Sequence, residues 1–104
     1  MNNEQRREDF KRWLADQPNR YGEQFSPKVP RDYAARLEHK GFLVNMAKAQ
    51  LAENLFEVDN PRIILALGMI FDEMADIIPT GQKDDYADLK VALKWYEEYL
   101  RAIR

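Results

Sequence analysis

Residues 85–104 read DYADLKVALKWYEEYLRAIR. Tyr86, Leu89, Leu93, Tyr96, Leu100 and Ile103 recur there at alternating steps of three and four. That spacing holds one apolar stripe on one side of an α-helix. Lys90, Lys94 and Arg101 fall about a quarter-turn away, on a separate stripe. A helix of this kind needs a surface to lie against. The rest of the chain, another copy, or a different molecule could each supply it.

Working back from that helix, the same period recurs in shorter pieces. Phe10, Trp13 and Leu14 anchor a first helix from about Asn3 to Asp16. Pro18, Asn19 and Gly22 break it. Tyr21 and Phe25 lie in the loop and are placed to fold back on the core. Ser26 then Pro27 forms a helix start, with the hydroxyl as N-cap and proline in the first position. Pro30 is tolerated in that opening turn, where its missing N–H costs little. Val29, Tyr33 and Leu37 repeat every four residues, and Gly41 ends or bends the helix. Phe42, Leu43, Met46, Ala47 and Leu51 extend helical spacing to about Asn54, as a separate helix or as the far half of a kinked one. Phe56 and Val58 read as a short extended link. Asp59-Asn60-Pro61 is a further start signal. Ile63, Ile64, Leu67, Ile70, Phe71 and Met74 follow it, the most apolar segment and the expected central helix of the core. Pro79 and Gly81 close it, and the terminal helix starts near Lys83 to Asp85. No strand pattern competes. The expectation is an all-α fold, a single compact bundle of four to five short helices over residues 1–104. It stands alone or as an N-terminal module of a longer protein.

Composition removes several function classes. The chain has 104 residues, enough for one domain and too few for two. It contains no cysteine, which excludes disulfides and thiolate metal sites. No apolar run nears the roughly 20 residues that span a bilayer, and residues 1–12 carry no signal-peptide stretch. A cytoplasmic location and no membrane partner are expected. The net charge of −2 argues against a wholly basic nucleic-acid binder. The charge is unevenly spread. Residues 1–52 hold ten Lys/Arg and seven Asp/Glu, a balance of +3, and residues 53–104 hold six and eleven, a balance of −5. Such a split can steer an acidic partner to one side, although ordinary scatter of surface charge also produces it.

Catalysis leaves a constellation of residues, and none is visible. His39 is the single histidine, set between Glu38 and Lys40 on a polar helix side. Asp72 and Asp76 form an i, i+4 pair that could face a hard cation, but two carboxylates are few ligands, and a solvated acidic face is the alternative. Asp84, Asp85 and Asp88 suit the N-terminal dipole of the last helix. The four glycines form no phosphate-binding loop. No catalytic residue, metal site or small-molecule cofactor is expected. Gly68 costs its helix about 1 kcal/mol relative to alanine, which suggests a neighbouring helix pressed close, under Trp95 or Trp13.

Basic residues give the better lead. Lys28, Arg31, Arg36 and Lys40 lie opposite Val29, Tyr33 and Leu37 on the second helix. Arg20, Lys11 and Arg12 could join them after folding. Lys90, Lys94 and Arg101 form a second row, interrupted by Glu97. Such rows can contact backbone phosphates without reading bases, and each is also compatible with a plain solvated face. Trp95 and Tyr99, one turn apart, fit either a core or a base-stacking platform.

Three patterns together resemble a known module: Phe10-x-x-Trp13-Leu14, Ser26-Pro27-x-Val29-x-x-x-Tyr33-x-x-x-Leu37, and Leu89-x-x-x-Leu93-x-x-Tyr96-x-x-x-Leu100. Their order, from Phe10 to Leu100, is similar to the SAM-like helical core-binding domain of tyrosine recombinases. It is also similar to N-terminal domains of bacterial restriction and ATPase proteins. The resemblance implies a bacterial or phage origin and DNA clamping or an accessory role. It does not imply strand cleavage, since the Arg-His-Tyr catalytic domain is not part of this sequence.

Two readings follow. The first is a non-catalytic module accessory to DNA transactions, holding the phosphate backbone through Lys28, Arg31, Arg36 and Lys40, with Lys90 and Lys94 as a second set. The other is a protein-interaction or oligomerisation module whose interface is the terminal helix, through Leu93, Trp95, Tyr96, Tyr99 and Leu100. An exposed apolar seam of that length does not stay bare in a monomer.

Overall fold

The computed structural model describes residues 2–38, 42–52 and 54–103, excepting the side chain of residue 42. Five α-helices follow in order: α1 (Asn3–Ala15), α2 (Lys28–Glu38), α3 (Phe42–Leu51), α4 (Pro61–Glu73) and α5 (Lys83–Ala102). Short 3-10 turns at Leu55–Glu57 and Thr80–Gln82 lead into α4 and α5. No strand forms among the described residues, and the expected all-α bundle is what the chain adopts.

Local chemistry sets the starts. At α1 the Asn2 side chain accepts from the Gln5 N–H at 2.8 Å, and Gln5 returns a side-chain oxygen to the Asn2 N–H at 2.9 Å. This reciprocal capping satisfies two donors that a helix leaves orphaned. At α4 the Asn60 side chain accepts from the Arg62 N–H at 3.0 Å, and Pro61 fills the first position. Between α1 and α2, the Asn19 side chain accepts from the Tyr21 and Glu23 N–H groups at 2.9 and 3.1 Å. Gly22 turns the chain there at φ +77°, a conformation that disfavours a side chain.

The core forms around α5. Its residues Leu89, Ala92, Leu93, Tyr96, Tyr99 and Leu100 are all buried, and α1, α2, α3 and α4 pack against it. Phe10 of α1 meets the rings of Tyr99, Tyr96 and Phe56 at 5.5, 5.6 and 6.0 Å between centroids. The first two contacts are edge-on, the favoured aromatic geometry. Replacing Phe10 with alanine would empty this junction and cost about 3–5 kcal/mol. A second ring chain runs outward, with Trp13 at 6.1 Å from Trp95, Trp95 at 5.3 Å from Phe25, and Phe25 at 6.3 Å from Tyr33. Phe25 thus folds back as expected, whereas Tyr21 stays exposed beneath Arg20.

Buried hydroxyls have partners. Tyr96 donates to the Val58 carbonyl at 2.7 Å, and Tyr99 donates to the Asp9 carboxylate at 2.6 Å. Arg6 donates to the Phe56 carbonyl at 2.9 Å, so the 3-10 turn is held from both sides.

Several expectations are corrected. The central helix is α5; α4 lies at the edge, with Ile64, Leu67 and Phe71 inward and Ile63 and Ile70 exposed. A helix of the bundle needs only one stripe for its core. Phe56 lies in a 3-10 turn capped by Asn54 and not in an extended link, Val58 after it is extended as expected, and both are buried. α3 ends at Leu51, short of Asn54. Ser26 contributes its backbone carbonyl to the Val29 N–H at 3.1 Å. Gly68 presses against nothing, because a Cβ there would meet no atom within 4 Å. His39, Lys40 and Gly41, and with them the junction of α2 and α3, lie outside the described residues.

Candidate functional site

The basic residues singled out from sequence do not come together. Arg36 extends from α2 to α5, where its guanidinium reaches Asp88 at 2.8 Å and Asp85 at 3.6 Å. Lys90 points to the other flank of α5 and meets Asp72 of α4 at 2.7 Å. Residues 88 and 90 are about 200° apart on a helix, so the two rows lie on opposite sides of α5. Arg36 and Lys90 are interhelix struts, and the acids that hold them cancel their charge toward a polyanion. Arg31 sits 3.9 Å from Asp32. Lys11 and Arg12 pair within α1, to Glu8 at 3.1 Å and Asp9 at 3.5 Å. Lys28 and Lys94 remain exposed on different helices. Lys40 lies outside the described residues.

Asp72 is the centre of a small surface network. It accepts from Lys90 and from the Tyr86 hydroxyl. The Lys90 hydrogen bond, then that of Tyr86, hold the Asp72 carboxyl below its ordinary range. The same bond raises Lys90 above its usual value. Asp72 is therefore a charged brace between α4 and α5. Among the described residues no group of three or more His, Asp or Glu is placed to hold a metal.

The terminal-helix interface is also corrected. Leu93, Tyr96, Tyr99 and Leu100 are buried within the bundle, and Trp95 is partly buried against Trp13 and Phe25. The chain's own helices cover the seam of α5 from Leu89 to Leu100, and Ile103 at its end stays exposed, so Tyr96, Tyr99 and Leu100 offer neither a docking surface nor a stacking platform.

The uncovered apolar surface is on α4. Ile63 is 40 %, Leu65 47 %, Met69 58 % and Ile70 44 % exposed. Residues 63–71, IILALGMIF, carry no charge or polar side chain. Only Ile64, Leu67 and Phe71 of that run are buried. The outward half is as apolar as the core half, unlike an ordinary surface helix. On one flank Ile64, Leu65, Gly68 and Met69 join Leu93 of α5 to line a groove of about 180 Å³. Asp72, Lys90, Lys94 and Glu97 rim it. The missing side chain of Gly68 keeps this groove open. On the other flank Ile70 and Met74 face Met46 and Gln50 of α3 across a shallow cleft.

Sequence reading missed this surface: it took Ile63, Ile64, Leu67, Ile70, Phe71 and Met74 for the central helix of the core and assigned no role to Leu65 and Met69. The usable signal was the run itself: nine consecutive residues without a polar side exceed what an edge helix can bury.

No protein-family model matches this chain, and no curated protein or solved structure matches it at a significant level. By fold and surface the described residues form an all-α bundle of five helices with an exposed apolar face on α4. No helix among the described residues is long and apolar enough to cross a membrane.

Proposed function

We propose that this chain is a non-catalytic protein-interaction module whose contact surface is the outer face of α4 and its groove with α5. One observation carries the reading: four large apolar side chains, Ile63, Leu65, Met69 and Ile70, are 40–58 % exposed on one helix with no charged residue among them. Monomeric soluble proteins rarely leave such a contiguous patch uncovered unless it binds something. Methionine is enriched at the centre of protein interfaces, and its flexible thioether adapts to a partner's shape. Helix-in-groove docking is the mode such a surface suits, with apolar anchors at i, i+3 and i+4.

The nucleic-acid alternative has weaker support. It needs several unpaired cations on one surface, and Arg36 and Lys90 are engaged on opposite flanks of α5.

Selection of displayed amphipathic helical peptides tests the proposal, using the chain at sub-micromolar concentration. Enrichment is expected on the native chain and lost on a variant carrying Leu65→Lys and Met69→Lys. Failure to enrich any helical peptide, or enrichment that survives both changes, would overturn it.

A further inference from the structure

The α4 face carries a pattern that specifies an occupant. Arg62, Ala66, Met69 and Glu73 are all exposed. At 100° per residue they fall within an arc of about 60°, one straight stripe along the outside of the helix. The stripe begins with a cation, ends with an anion, and holds a small and a large apolar residue between them. Arg62 and Glu73 have no ion-pair partner among the described residues. In that they differ from Arg36 and Lys90, whose charges the fold already uses.

The stripe is complementary to its own reverse. Arg62 with Glu73, and Ala66 with Met69, share one midpoint, between Leu67 and Gly68. Two α4 helices laid antiparallel about that point bring Arg62 of each copy beside Glu73 of the other. The same superposition sets each Met69 against the small Ala66 opposite, a knob facing a space. The charged pairs sit about 16 Å apart along the axis, and small residues at the crossing allow helix axes about 8–9 Å apart. Leu65 on one flank and Ile63 and Ile70 on the other would lose their exposure. The surface matched to itself in this way is an isologous interface.

We infer that the occupant of the α4 face is a second copy of this chain, in an antiparallel α4–α4 dimer closed by two Arg62–Glu73 pairs. This rests on the reading of α4 as the contact surface and names its partner. One thirteen-residue helix from each copy offers less than the roughly 800 Å² per partner of a standard interface. The dimer is accordingly weak, forming at micromolar or higher concentration. A net charge of −2 per chain opposes it only slightly.

Sedimentation velocity from about 0.1 µM to about 1 mM chain tests the inference, a range that brackets micromolar affinities. The native chain should rise from its monomer mass of 12.3 kDa toward twice that value. Arg62→Glu and Glu73→Arg should each weaken the dimer about tenfold, since two attractive pairs become repulsive. Mixing the two variants in equal amounts should restore association, because each meets its opposite charge in the other. The double variant should restore it as well. Both positions are exposed, so circular dichroism should show native helicity throughout. A native chain that stays monomeric to the highest concentration overturns the inference but leaves the peptide-binding result to judge the α4 face separately. A dimer indifferent to either reversal, or reversals not rescued by mixing, overturns the antiparallel α4 geometry.

Discussion

The Tyr99 hydroxyl donates to the Asp9 carboxylate at 2.6 Å, joining α5 to α1 across ninety residues of sequence. Tyr99 is otherwise enclosed by the rings of Phe10, Trp13 and Tyr96. A hydrogen bond to a charged acceptor contributes about 1.5–3 kcal/mol. Tyr99→Phe preserves the ring packing and removes only this bond. Chemical denaturation should show a loss within that range, and Asp9→Asn should show a smaller one.

Alkaline pH should destabilise the fold through the same tyrosines. Burial pushes the Tyr96 and Tyr99 phenols above their ordinary value of 10.0, and the Asp9 carboxylate pushes Tyr99 further. Above that value the unfolded chain loses protons that the folded chain retains, so stability falls as pH rises. The contribution is intact below pH 10 and declines above it. Urea midpoints measured from pH 8 to 11 should fall in the upper part of the range. Tyr96→Phe should flatten the decline.

Gly68→Ala should stabilise the chain. The added Cβ meets nothing within 4 Å, and a mid-helix glycine costs about 0.8–1 kcal/mol relative to alanine. A rise in thermal midpoint is the expected result. A fall would mean that a neighbouring element approaches α4 more closely than this structure has it.

Arg36→Ala should cost about 0.2–1 kcal/mol, the range of partly exposed ion pairs. Its partners Asp85 and Asp88 retain about half their exposure. The penalty should shrink at high salt, as screening weakens the pair in the native chain. Comparing denaturation of the two chains at low and high salt checks this.

Duplex DNA should bind weakly at most. Lys28 and Arg31 alone could release counterions with a log–log salt slope of about −1.8. Fluorescence anisotropy at about 50 mM and 200 mM salt reads that slope directly. Tight binding with a slope of about −4 or steeper would return the basic residues of α2 and α5 to the centre of the function.

The order and approximate extent of the helices were legible, because they rest on local rules. The Asn60-Pro61 start, the break at Pro18, and the three-four spacing of Leu89, Leu93, Tyr96 and Leu100 act through nearest neighbours on one helix, whereas Pro79 did not mark the end of α4, which stops at Glu73. They determined an all-α bundle and the stripe of α5 that must be covered. Which surface covers it is a matter of packing between residues far apart in sequence, and there the tertiary structure decided. Five helices can hide only as much apolar area as their mutual contacts allow. The bundle spends that contact on α5, enclosing Tyr96 and Tyr99, and leaves Leu65 and Met69 of α4 outside. Charge followed the same division. Periodicity placed Arg36 and Lys90 on helix faces, but only the packing of α2 and α4 against opposite flanks of α5 gave each an acid to hold. Arg62 and Glu73, at the two ends of one helix, were left without one among the described residues.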